Sequence, residues 1–207
     1  MKVCDPVGRG LASAAPGNLP PKRLFLTGPS GCGKSTLLRK ALQGKTAPAG
    51  GFISERTVDE TGRYLYFYLQ RADGSGEQAI FLDLRQKPPV KHDDVFTGLA
   101  AKLLREQAPF FLLDEIGGME LLLPEFQAAL DDFLASGIPC IGVLKGMQNS
   151  QALSKTAHLP EAYLAAAESL RRGLEADEHT QILELSGWND PLAAKLVQQW
   201  VEVYAHG

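Results

Sequence analysis

The nine residues Gly28-Pro-Ser-Gly-Cys-Gly-Lys-Ser-Thr36 constrain this chain more than any other segment. They satisfy the spacing G-x-x-x-x-G-K-[ST]. Glycine is needed where a backbone approaches a polyphosphate closely and adopts φ > 0. Successive amides then turn inward and form an anion-binding nest at a helix N-terminus. The surroundings agree. Arg23-Leu-Phe-Leu-Thr27 is a short apolar run that suits a buried parallel strand. After the loop, STLLRKALQG places leucines and alanine on one helical face, with Gly44 as its stop. That context argues against a chance Gly-rich turn. The pattern assigns Gly28, Pro29, Ser30, Gly31, Cys32 and Gly33 to the cradle, Lys34 to the β- and γ-phosphates, Ser35 to Mg²⁺ and Thr36 to the α-phosphate. Cys32 either fills an unconstrained position or is a thiolate favoured by the helix N-terminus, whose oxidation would block the nucleotide.

Further along, Gly51–Glu55 reads as a second strand. Two β-rich runs, 64–69 and 78–84, are set off by the turn residues of 59–63 and 72–77, giving a small antiparallel insertion. The spacing predicts helices over 95–107, 124–136 and 160–176, buried strands over 110–113, 138–144 and 181–185, and a polar irregular stretch over 146–158. The last helix opens with Asp190 as N-cap and Pro191 at its first position. Apolar strands alternating with helices imply a parallel sheet covered on both faces. Residues 1–21, rich in Gly, Ala and Pro, read as a tail or strap beside one domain over 22–207.

The run Phe110-Phe-Leu-Leu-Asp114-Glu115 looks like a Walker B strand. Its aspartate suits Mg²⁺, opposite Ser35, and the adjacent Glu115 suits the polarisation of an attacking water. A carboxylate placed to activate water also argues against a kinase, which must exclude water.

Composition narrows the partners. Lys plus Arg is 21 against 24 for Asp plus Glu, a net charge of −3 that gives no basic footprint for nucleic acid. No apolar run approaches the ~18 residues needed to span a bilayer, so a cytoplasmic protein without membrane contact is expected. Cys4, Cys32 and Cys140 are odd in number and far apart, which indicates reduced thiols rather than a zinc site or disulfide framework.

The segments LTGPSGCGKSTL (26–37), GGFISE (50–55) and DEIGGMEL (114–121) together resemble the small P-loop nucleoside-triphosphatase family first described from thermophiles. Its members show GxxGxGKTTL, GFYTEE and DEIGKMEL. The resemblance implies an α/β, three-layer, RecA-like core with a mainly parallel sheet and an antiparallel β-hairpin insertion. In it the Walker B strand lies between the P-loop strand and the partner of the GF strand. It also implies Mg²⁺-dependent hydrolysis of several nucleoside triphosphates to diphosphate and phosphate. Carried over by position, Lys34 and Glu115 are catalytic, Asp114 holds Mg²⁺ through water, and Glu55 and Glu120 are supporting acids near the γ-phosphate. Arg56 and Gly118 depart from the pattern, standing where the family has Glu and Lys. Gly118, without the family's lysine, keeps open a switch or assembly factor whose hydrolysis needs a protein partner. A small-molecule or nucleoside kinase is the other alternative.

Arg56, Arg63, Arg171 and Arg172 are candidate arginine fingers, and Lys145 ends a strand near the expected γ-phosphate. Trp188, with Asn189, follows the last strand and either stacks on a base or packs. No N-K-x-D motif marks a guanine-specific switch. Tyr64, Tyr66 and Tyr68 alternate along their strand and are read as packing.

Overall fold

A computed structural model describes residues 19–45, 48–76, 78–185, 187–188 and 190–205. Most of the expected N-terminal tail, together with Cys4, Asn189 and His206, lies outside them. The eight strands are β1 (Arg23–Thr27), β2 (Ala49–Val58), β3 (Tyr64–Arg71), β4 (Ala79–Asp83), β5 (Val90–Lys91), β6 (Phe110–Ile116), β7 (Cys140–Leu144) and β8 (Thr180–Glu184). They form one sheet in the order β5-β4-β3-β2-β6-β7-β1-β8. From β2 to β8 every neighbouring pair is parallel, whereas β2–β3, β3–β4 and β4–β5 are antiparallel. The expected Walker B strand, β6, pairs with the GF strand β2 on one side and with β7 on the other, and β7 separates it from the P-loop strand β1.

Alternation along the strands sends successive side chains to opposite faces. Phe25, Phe52, Phe111 and Leu113 join a core with Phe126, Leu130 and Leu174 on one face. Leu24, Leu26, Phe110, Leu112, Ile141 and Val143 join Leu38, Val197 and Trp200 on the other. Both faces are therefore dry, and the central strands read as unbroken apolar runs for that reason. The first face is covered by a π-helical turn (Val95–Ala100) leading into α2 (Ala101–Leu104), by α3 (Pro124–Ala135) and by α5 (Glu161–Ala176). The second is covered by α1 (Lys34–Leu42) and α6 (Pro191–Tyr204). Asp190 caps α6 as expected, accepting from the amides of Leu192 and Ala193.

Three sequence expectations are corrected. The stretch 146–158 contains α4 (Met147–Thr156), a helix that buries only Ser150 and so shows no apolar period. The helix expected over 95–107 is π-wound in its first part and ends at Leu104. The antiparallel meander starts within β2 itself, which pairs in parallel with β6 through Ile53 and then runs on against β3 to Val58. Gly51 permits that double pairing. Its φ is +86° and a Cβ there would stand 2.5 Å from the Leu112 carbonyl oxygen, a position no other residue type could occupy without displacing β6. No helix among the described residues is long and apolar enough to cross a membrane.

Candidate active site

The site is built at the carboxyl ends of β1, β6 and β7. Gly28, Gly31 and Gly33 all have positive φ, and Gly33 (φ +94°) opens α1 without a side-chain cap. The first amides of α1 are therefore left to an anion, as a phosphate loop requires. Lys34 is buried. Its ammonium donates to the carbonyls of Gly28 (3.0 Å) and Pro29 (2.7 Å), with Cys32 Sγ at 3.6 Å.

One residue along, the Ser35 hydroxyl donates to Asp114 Oδ1 at 2.9 Å, across 79 residues of sequence. Asp114 is 3% exposed. Burial, together with the negative charge of neighbouring Glu115, pushes its carboxyl up to about 6, against the opposing pull of the Ser35 hydrogen bond. A hydroxyl and a carboxylate meeting here, with too little positive charge beside them, form a donor set suited to a hard divalent cation. Among the described residues no three His, Cys, Asp or Glu side chains converge. Such a cation would therefore complete its shell with phosphate oxygens and water.

Glu115 turns towards β7. Its Oε2 accepts from the Lys145 ammonium at 3.1 Å. Burial alone would depress Lys145, but Glu115 and, behind it, Glu120 hold its charged form above the usual range. Glu120 is buried in the turn after β6, where Oε1 accepts from the amides of Gly117 (2.8 Å) and Gly118 (2.7 Å). Burial raises its carboxyl and the two amides work the other way. The Tyr163 hydroxyl donates to the Gly117 carbonyl at 3.0 Å, so α5 braces the same turn. Glu55, on β2, accepts from Tyr68 (2.6 Å) and pairs with Arg39 of α1 (2.7 Å).

The structure thus brings Ser35 to Asp114, with Lys34 and Glu115 next to them in sequence. Glu120 and Glu55 are each engaged by partners of their own. Lys145 is at the site. The arginine candidates differ: Arg56 stacks on Tyr64 at 4.9 Å and Arg171 pairs with Glu175 at 2.8 Å. Sequence reasoning missed Arg39, although it lies four residues after Ser35 on the same helical face. It also missed Asn149 of α4, which donates to the Gly28 carbonyl at 3.3 Å, and Tyr163.

This fold and site define a P-loop nucleotide-binding protein with an Asp-Glu pair on the second functional strand. Residues 23–170 match the family described as NTPase, and the chain belongs to that family. It is 29% identical over 136 residues to nucleoside-triphosphatase THEP1 of Thermococcus kodakarensis, covering 59% of this chain and 75% of that protein. It is 32% identical over 143 residues to a cancer-related nucleoside-triphosphatase homolog of Mus musculus, with the same shares. The crystal structure of THEP1 from the hyperthermophile Aquifex aeolicus superposes with a TM-score of 0.58 at 17% identity, covering 88% of this chain and 98% of that one. That likeness supports the three-layer fold expected from the sequence.

Proposed function

We propose that residues 22–207 form one domain that hydrolyses nucleoside triphosphates to diphosphate and phosphate, with Mg²⁺ and with broad tolerance of the base. The observation that carries the reading is the Ser35–Asp114 contact beside Lys34, with Glu115 adjacent. When bound, Mg²⁺ would neutralise charge on the β- and γ-oxygens, held by Ser35 and, through water, by Asp114. The cradle amides and Lys34 bind the phosphates and take up charge as the γ-group transfers. Glu115 orients the attacking water and accepts its proton. The new water oxygen–phosphorus bond forms as the bridging oxygen leaves with the diphosphate. Lys145 holds the Glu115 carboxylate in place, while Glu120 and Glu55 support the site through the turn after β6 and through Arg39. The substrate is the nucleoside triphosphate, and neither a membrane nor a nucleic acid is part of the reading. A cytoplasmic setting fits the free, buried thiols of Cys32 and Cys140.

Phosphate release from ATP, GTP, CTP and UTP, with and without Mg²⁺, tests this for wild type beside Glu115→Gln, after titration shows that both bind nucleotide. Multiple turnovers that need Mg²⁺ and fall about 10²–10⁴-fold in the variant are expected for a lost general base. Nucleotide binding without turnover in the wild type would overturn the stand-alone enzyme. It would favour a partner-dependent switch, the reading that Gly118 in place of lysine keeps open.

A further inference from the structure

Trp188 is 65% exposed, whereas Trp200, the chain's other tryptophan, is fully buried. Single exposed apolar side chains are ordinary and carry no message alone. What distinguishes Trp188 is its neighbour. A Cβ built on Gly33 would stand 3.1 Å from Trp188 Cε3, 3.4 Å from Cζ3 and 3.5 Å from Cδ2. The six-membered ring therefore rests against the last glycine of the phosphate cradle, immediately before Lys34. It approaches from the segment after β8, which is tied to the start of the cradle: the Leu185 amide donates to the Thr27 carbonyl at 2.9 Å. At the same point a Cβ on Gly28 would lie 2.6 Å from the Leu185 carbonyl oxygen.

Sheet order decides which part of a nucleotide meets this ring. Asp114, Glu115 and Lys145 stand at the ends of β6 and β7, on one flank of β1. Trp188 follows β8, on the other flank. A nucleoside triphosphate bound with its γ-phosphate towards the carboxylates must lead its nucleoside away from them, over the N-terminus of α1 and towards β8. The exposed indole stands on that path.

We propose that Trp188 is the base platform of the site, a flat surface on which the nucleobase of the bound triphosphate stacks. The proposal rests on the nucleoside-triphosphatase reading above. Stacking takes any planar base, because every base has a π-face, so it gives affinity without reading the base edge. Purines, with more ring to overlap, bind more tightly than pyrimidines.

The test uses the full chain as wild type, Trp188→Ala and Trp188→Phe, with ATP, CTP and inorganic tripolyphosphate as probes. Trp188→Ala raises the KM for ATP about ten-fold, within the range for loss of one base–aromatic stack. The KM for CTP rises less, kcat holds, and tripolyphosphate competes as well as against wild type. Trp188→Phe recovers most of the ATP affinity. ATP quenches the emission of the exposed indole in wild type and tripolyphosphate does not. In Trp188→Phe, where buried Trp200 remains, the quench disappears. An unchanged KM for ATP in Trp188→Ala overturns the stacking proposal and leaves the nucleotide site intact. Equal weakening of ATP and tripolyphosphate overturns it too, since the ring would then only shape the cradle. Failure of wild type to bind either probe overturns both readings together.

Discussion

The Lys145 ammonium lies 3.1 Å from Glu115 Oε2 and ties the carboxyl end of β7 to that of β6. Both side chains are more than two-thirds buried, so the pair is less screened than an exposed ion pair and fixes the direction in which Glu115 points. Lys145→Met removes that restraint without removing the carboxylate. The expected result is a fall in kcat of about ten-fold, small beside the loss of the base itself, with KM for ATP nearly unchanged. Steady-state phosphate release checks it.

Glu120 offers a way to separate support from chemistry. Leucine in its place leaves the Gly117 and Gly118 amides without their acceptor, at a cost of about 1–3 kcal/mol. For a chain of this length that lowers the thermal midpoint by roughly 2–10 °C. Glutamine retains an accepting oxygen, and its midpoint is expected to stay close to wild type. Calorimetry gives the stability half of the answer. Turnover by Glu120→Gln gives the other: near-normal rates mean that the carboxyl serves the turn, and a large loss means that its charge serves the reaction.

Gly28→Ala should damage the cradle itself. At φ +133°, with Leu185 O only 2.6 Å from the new methyl, the loop and the end of β8 cannot both stay where they are. We expect ATP affinity to drop about 5- to 160-fold in equilibrium titration, since strain of this kind costs about 1–3 kcal/mol.

Far from the nucleotide, Arg23 is buried and paired with Asp177 while also donating to the Leu134 carbonyl. Burial alone raises the Asp177 carboxyl, but the Thr180 hydroxyl, the His179 amide and Arg23 together bring it below its ordinary 3.8. A carboxyl depressed in the folded state stabilises above its unfolded value and loses that contribution as pH falls through the folded one. Asp177→Asn is therefore expected to be about 1–2 kcal/mol less stable than wild type at neutral pH, a figure discounted for the 29% exposure of Asp177. The gap closes below about pH 4. Urea melts of both proteins at pH 7, 5 and 3 measure it.

The cradle, β1, β6 and the Asp114–Glu115 pair were legible because each couples a residue pattern to an apolar run with one structural meaning. The partnership of Ser35 with Asp114 followed from those motifs. Other features depend on neighbours that no local pattern announces. Helix α4 offers only Ser150 to the interior, so its ten residues read as polar loop until α5 and the cradle are placed beside it. Arg39 looks like a solvated helix charge until β2 brings Glu55 within 2.7 Å. The position of β7 was hidden for another reason, since strand order in a sheet need not follow chain order. Trp188 was visible as a residue but undecided between packing and stacking, and its exposure beside Gly33 is the ground on which stacking is proposed.

That position of β7 sets a clearance. Neighbouring strands are ~4.8 Å apart, so the end of β6 stands roughly 9–10 Å from that of β1. Gly142 on β7, opposite both Phe25 and Leu113, lets the three strands pack closely, since a Cβ there would stand 2.4 Å from the Leu113 carbonyl oxygen. On the proposed reading, a carboxylate on the strand next to β1 would lie closer to the transferring phosphate. On that reading Glu115, one strand further out, meets the phosphate through a water. On the proposed reading, a carboxylate moved inward by one strand would compete with the substrate for the cradle, and the same group where it now stands delivers water to it.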